Sequence, residues 1–175
     1  ILLPQSVETV LAHIAVYKLG AIAVPLAALF GEHALAYRLT AAGANALITD
    51  AAGLARLGAL RRAGTDIATV LCTDGPASGA DGFREAMTEN SAPFTAVETG
   101  PDDPALMIFT SGTTGPPKGA LHGHRVLLGH LPKFEVEIQF LQGVDDALAL
   151  GHQRGEFMRL GGDFAAAAFE ERLRH

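Results

Sequence analysis

The chain contains no tryptophan and a single cysteine, Cys72, and both scarcities narrow its chemistry. One thiol forms no internal disulfide and supplies no cysteine-rich zinc site. Cys72 closes the apolar run Ala68-Thr69-Val70-Leu71-Cys72, where a buried inert thiol is expected in place of a nucleophile, because no activating partner stands beside it. A chain without disulfides is the expectation for a cytoplasmic protein. Positive charge is also scarce: 13 Lys and Arg oppose 19 Asp and Glu, for a net charge of -6. The Arg61-Arg62 pair is too small for a stripe that tracks a phosphate backbone, so nucleic acid is not the expected partner. No apolar run approaches the roughly 20 residues needed to cross a bilayer, since His13, Lys18, Glu32 and His33 interrupt the N-terminal stretch, and no transmembrane segment is expected. Ile1-Leu2-Leu3-Pro4 lacks the charged start of a signal peptide and reads as the end of a buried strand, which predicts a chain cut at its N-terminus.

What remains is a globular composition. The 175 residues are 49% apolar, enough for one domain or a piece of a larger protein and too ordered a mixture for wholesale disorder. Ser6 is placed to cap a helix with Val7, Val10, Leu11, Ile14 and Ala15 on its 3.6-residue period and Gly20 as its stop. Ala21 to Val24 then reads as a buried strand. The unit recurs: a helix from His33 to Ala42 stopped by Gly43, a strand from Ala46 to Thr49, and a helix from Ala51 to Arg62 capped by Asp50. Ala68 to Cys72 supplies the next strand, and alternation of this kind predicts crossover units with a mostly parallel sheet. Residues 73–82 are turn formers throughout and predict a surface loop. A short helix over Phe83 to Glu89, a turn over Pro101-Asp102-Asp103-Pro104 and a buried strand over Ala105 to Phe109 follow.

That last strand runs into the chemistry-bearing segment, Thr110-Ser111-Gly112-Thr113-Thr114-Gly115-Pro116-Pro117-Lys118-Gly119. Glycines without a Cβ let backbone N–H groups converge on an anion. Thr110, Ser111, Thr113 and Thr114 add neutral donors, Lys118 adds a positive charge, and Pro116 and Pro117 stiffen the approach to it. A generic surface turn draws on the same residue types, but it rarely places four hydroxyls, two glycines and a lysine behind an apolar strand. The spacing is not GxxxxGK[ST]: only two residues separate Gly115 from Lys118, and a glycine follows the lysine, so an ordinary P-loop NTPase is disfavoured.

The motif TSGTTGPPKG resembles the signature phosphate loop of the adenylate-forming enzymes, which include acyl- and aryl-CoA synthetases, luciferases and the adenylation domains of peptide synthetases. Upstream, LLPQSVETVLAHIAVYKLGAIAVPL and ALAYRLTAAGANALITD resemble the first part of that family's large N-terminal domain and are most similar to acetyl-CoA or medium-chain acyl-CoA synthetases. The likeness covers residues 1–132. It implies an α/β fold with a layered parallel, partly mixed sheet and flanking helices. It also implies a reaction in which a carboxylic acid, here a short or medium-chain fatty acid, attacks the α-phosphate of ATP to give acyl-AMP, after which coenzyme A takes the acyl group. Thr110, Ser111, Gly112, Thr113, Thr114 and Gly115 would then donate to the β- and γ-phosphates, Lys118 would help neutralise them, and the Thr110 hydroxyl would touch Mg²⁺. No catalytic residue can be assigned from this stretch. The alternatives are an aryl-acid ligase or other adenylate-forming enzyme, and a truncated fragment that binds nucleotide without turnover.

Residues 133–175 do not match the family pattern, which carries a tryptophan-containing stretch near this point, and read as a divergent tail. Phe134, Val136, Ile138 and Phe140 alternate with polar residues as in a half-buried strand, and Phe164 to Arg174 has the pattern of a helix. The histidines His122, His124 and His130 lack neighbouring Cys, Asp or Glu to complete a zinc shell, so a polar strand edge is expected there. His13 is expected on a helix surface, and Asp102 and Asp103 are expected to build a turn.

Overall fold

A computed structural model describes residues 1–89, 94–111 and 115–126. Helix α1 spans Val7–Lys18, with the Ser6 hydroxyl accepting from the Thr9 N–H as its N-cap. Its buried face carries Leu11, Ala12, Ala15 and Val16. The expected stripe through Val7 and Val10 is displaced, for these side chains are 54% and 39% exposed. Tertiary packing sets the face: the small Ala12 and Ala15 admit close approach to Ile48, Leu71, Phe83 and Ala86, which a stripe of valines would hold further off.

Helix α2 spans Glu32–Ala42 and ends at Gly43 in the left-handed conformation, as its glycine predicts. Strand β1 spans Ala46–Thr49. Asp50 caps the next helix by accepting from the Gly53 N–H at 2.8 Å. The single helix expected over residues 51–62 is two, α3 over Ala51–Leu54 and α4 over Leu57–Arg62. Two tertiary anchors bracket the break: Gly53 is wedged against Thr49 and Leu2, and the Arg56 guanidinium donates to the Phe30 and Ala28 carbonyls at 2.9 and 3.0 Å.

Strand β2, Thr69–Cys72, pairs parallel with β1 in the register Ala46↔Thr69 to Thr49↔Cys72. Strand β3, Asp81–Gly82, adds a third parallel strand, so the stretch expected to be loop throughout ends in the sheet. Helix α5 follows at once over Phe83–Glu89. Alternation along β1 and β2 sorts the core onto two faces. Ile48 and Leu71 pack with α1 and Phe83, whereas Leu47 and Val70 pack with Leu35, Leu39, Leu57 and Leu60 of α2 and α4. Helices therefore cover both faces of the parallel sheet, the arrangement that near-continuous apolar strands require. Cys72 is buried in this sheet, as its surroundings in the sequence predict.

The strand expected over residues 21–24 reduces to one parallel bridge, Ala23↔Leu106. Pro25 has no N–H to extend the ladder, and Ile22 is 41% exposed. Two hydrogen bonds fix the bridge: Ala23 N–H to the Ala105 carbonyl at 2.8 Å and Met107 N–H to the Ala23 carbonyl at 2.9 Å. They tie in the last unit, an antiparallel hairpin of β4 (Pro104–Thr110) and β5 (Lys118–Gly123). The sheet structure is thus mixed, parallel in one layer and antiparallel in the hairpin. The strand expected over residues 134–140 and the helix over 164–174 lie outside the described residues.

Candidate functional site

The chemistry-bearing segment is the connection of the β4–β5 hairpin. Thr110 ends β4, Lys118 opens β5, and the two are cross-strand partners, so their side chains stand on the same face at the mouth of the turn. Thr110, Ser111, Gly115 and Lys118 are all exposed; Gly112, Thr113 and Thr114 lie outside the described residues. Gly115 has φ +98 with nothing within 4 Å of where a Cβ would stand. The backbone conformation, not crowding, therefore calls for glycine there. Immediately inside the mouth the situation reverses. A Cβ on Gly119 would come within 2.8 Å of Met107 Sδ and 3.1 Å of Met107 Cγ, so a larger residue there requires the flexible Met107 side chain to shift.

Helix α2 lies against both stems of the turn. The Tyr37 hydroxyl donates to the Pro117 carbonyl at 3.0 Å, and the Arg38 guanidinium lies 4.1 Å from the centre of the Phe30 ring and 5.9 Å from that of Phe109. Arg38 is 9% exposed and also donates to the Ala34 carbonyl, with no carboxylate partner among the described residues. Nothing in the sequence marks out Tyr37 and Arg38. They are ordinary residues of an amphipathic helix, and only folding carries Tyr37 across 80 positions to Pro117.

The base of the hairpin is locked by the expected turn. Asp103 accepts from the Gly100 N–H at 2.7 Å, Asp102 pairs with Arg125, and the Arg125 N–H donates to the Pro101 carbonyl at 2.9 Å. A Cβ on Gly123 would meet the Pro101 carbonyl oxygen at 2.8 Å, so the turn and β5 touch through bare backbone. His122 and His124 have different neighbours, and His130 lies outside the described residues. His122 sits on β5 opposite Leu106, and His124 packs edge-on against Tyr17 with ring centres 6.2 Å apart. His13 is half-buried, not a free surface histidine, and its Nδ1 lies 3.1 Å from the Tyr17 hydroxyl. Burial above all holds its pKa below the ordinary histidine range, and burial likewise raises that of Tyr17. Among the described residues no group of three His, Cys, Asp or Glu converges on a metal position.

The donor set at the turn is therefore hydroxyl, backbone N–H and one ammonium, with no carboxylate. That set suits a polyphosphate, whose own oxygens serve a hard divalent cation alongside a hydroxyl of the turn.

A hairpin of this motif on a two-sided parallel layer has known counterparts, and the pattern of AMP-binding enzymes matches residues 1–152. The chain belongs to the AMP-binding enzyme family. Over 124 residues it is 36% identical to FadD13, a long-chain-fatty-acid–CoA ligase of Mycobacterium tuberculosis, covering 71% of this chain and 24% of the ligase. Its fold is similar to that of the anthranilate CoA ligase AuaEII in complex with anthranoyl-AMP, with a TM-score of 0.65, 29% identity, and coverage of 70% of this chain and 24% of that one. It is similar also to ATP-bound MatB from Rhodopseudomonas palustris, with a TM-score of 0.56, 28% identity and the same shares of 70% and 24%. This AMP-binding chain thus spans about a quarter of the length of the relatives it matches. Its layered α/β arrangement is that of the N-terminal domain of adenylate-forming enzymes, the family of acyl- and aryl-CoA ligases.

Proposed function

We propose that the exposed end of the β4–β5 hairpin grips the triphosphate of ATP for an AMP-forming acid:CoA ligase. The observation that supports this reading is the Thr110–Lys118 cross-strand pair, which puts a hydroxyl-bearing and an ammonium-bearing side chain on one face at the mouth of a turn whose Gly115 takes a positive φ. A polyphosphate asks for both kinds of group: neutral donors that match its oxygens and a cation that offsets its charge. In this reading Thr110, Ser111, Gly112, Thr113, Thr114 and Gly115 donate to the β- and γ-phosphates, and Lys118 neutralises them. As the bond to the α-phosphorus breaks, negative charge grows on pyrophosphate, and donors already held in place stabilise it without reorganising. Mg²⁺ supplies further charge neutralisation when bound, with the Thr110 hydroxyl as its protein ligand. The ATP-bound and anthranoyl-AMP-bound relatives support a nucleotide in this role.

The acid we assign is a short or medium-chain fatty acid, on the likeness of the upstream segments to acetyl-CoA and medium-chain synthetases. Coenzyme A is the acyl acceptor. An aryl acid is the alternative, favoured by the resemblance to an anthranilate ligase. We assign the role to residues 1–132 and treat 133–175 as a separate, divergent segment. The family match runs past that boundary, to residue 152. Because the chain covers 24% of that ligase, the 175 residues alone are expected to bind MgATP without turnover. Calorimetric titration with MgATP and a pyrophosphate-release assay with acetate, butyrate, octanoate, benzoate or anthranilate test both statements. A flat titration overturns the phosphate-gripping role, and acid-dependent pyrophosphate release overturns the non-catalytic one.

A further inference from the structure

Resting on that phosphate-gripping role, the geometry points to Tyr37 and Arg38 of α2 as positioning residues that hold the two stems of the nucleotide turn. Holding an anion between two strand ends fixes the groups they carry, and that loss of freedom weakens binding unless the strands are held in place beforehand. The hairpin has only two strands, which by itself is marginally stable, and the described residues Thr110, Ser111, Gly115 and Lys118 at its mouth are exposed. The rigidity must come from outside it. Helix α2 supplies a separate contact to each side. Tyr37 reaches across to the carbonyl of Pro117, the residue before Lys118, so the bond fixes the peptide unit from which the ammonium side chain departs. Arg38 stacks over Phe30 and reaches toward Phe109, the residue before Thr110. One helical turn therefore braces the backbone on either side of the Thr110–Lys118 pair.

The two contacts differ in how they act. Pro117 has no N–H, but its carbonyl is free to accept a bond outside the strand ladder, and Tyr37 makes that bond at an exposed site where the phenol is not needed for packing, being 36% exposed. Arg38 is buried, its charge lacks a carboxylate partner among the described residues, and it sits in a low-dielectric setting under β4. An uncompensated guanidinium there adds positive potential at the turn as well as stiffness.

The test compares the 175-residue chain with Tyr37→Phe, which removes one hydroxyl and no packing, and with Arg38→Met. Affinity for MgATP and for inorganic tripolyphosphate is measured by calorimetry, and amide hydrogen exchange is followed at Thr110 and Lys118 in β4–β5 and at Leu47 and Val70 in β1–β2. Tyr37→Phe is expected to weaken both ligands about two- to tenfold, the range that corresponds to one neutral hydrogen bond. It should speed exchange at Thr110 and Lys118 and leave Leu47 and Val70 unchanged, a local signature that a general loss of stability does not give. Arg38→Met is expected to weaken binding further, and more at low salt than at high. Should Arg38→Met fail to fold, Tyr37→Phe alone decides. Wild-type binding matched by equal binding and equal exchange in Tyr37→Phe overturns the positioning role. No binding by the wild type overturns the phosphate-gripping role on which it rests.

Discussion

Among the described glycines, Gly53 is the one where an added methyl group would come nearest another atom, which makes Gly53→Ala a sharp test of packing. The new Cβ would stand 1.8 Å from Thr49 Oγ1, 3.2 Å from Thr49 Cβ and 3.0 Å from Leu2 Cδ2. On helix propensity alone the substitution would stabilise α3 by about 1 kcal/mol. Packing opposes it. Relief requires Thr49 to swing away, yet Thr49 is fully buried and its hydroxyl donates to the Leu2 carbonyl at 3.0 Å. Stranding a buried polar group costs about 1–3 kcal/mol, and overfilling a packed site costs about 1–3 kcal/mol more. Setting the propensity gain against these leaves a net destabilisation of about 1–5 kcal/mol, a large share of the roughly 5–15 kcal/mol that holds a domain together. Urea denaturation followed by circular dichroism reads the loss directly. The same substitution in a Thr49→Ala background removes the clashing oxygen, so its cost there should fall below about 1 kcal/mol, a coupling that a double-mutant cycle isolates. A Gly53→Ala chain within about 0.5 kcal/mol of wild type, or an equal cost in both backgrounds, would refute the reasoning.

Lys118→Ala should weaken MgATP binding about tenfold or more, since a charged hydrogen bond is lost, and should flatten the salt dependence of binding; unchanged affinity removes this lysine from the site. Gly115→Ala meets no neighbouring atom, so its entire effect is the strain of a positive φ, about 1–2 kcal/mol. In calorimetry that corresponds to about 5- to 30-fold weaker tripolyphosphate binding, with the denaturation midpoint little moved because the turn is exposed; an unchanged affinity contradicts the need for this backbone shape. His13 titrates below its ordinary value because burial disfavours its protonated form. The unfolded chain therefore binds that proton more readily. The associated stability is intact above about pH 6.5 and is lost as pH falls through the lowered folded value. Denaturation midpoints at pH 7.5 and 5.5 should differ more for the wild type than for His13→Gln, and equal differences would clear the imidazole of the effect.

The sequence alone determined the class of fold and the donor types of the candidate site, because both are written locally. Ser6, Asp50, Gly20 and Gly43 announce helix ends through their own side chains or lack of one, and helices alternating with short apolar strands imply a parallel layer with both faces covered. The donors of the turn from Thr110 to Lys118 are consecutive, so no folding is needed to see that they belong together.

What the tertiary structure decided depends on contacts between distant residues. It turned the buried face of α1 from Val7 and Val10 to Ala12 and Val16, because α1 settles where small side chains meet the sheet. It split the helix over 51–62 where Gly53 and Arg56 are anchored to separate neighbours, and it drew Asp81–Gly82 into the sheet beside β2. It also made Thr110 and Lys118 partners across a hairpin and carried Tyr37 and Arg38 to its two stems. Periodicity records which residues within one element share a face. It carries no record of which other element that face will meet, and the contacts of α2 with the two stems of the hairpin lie wholly in that second kind of information.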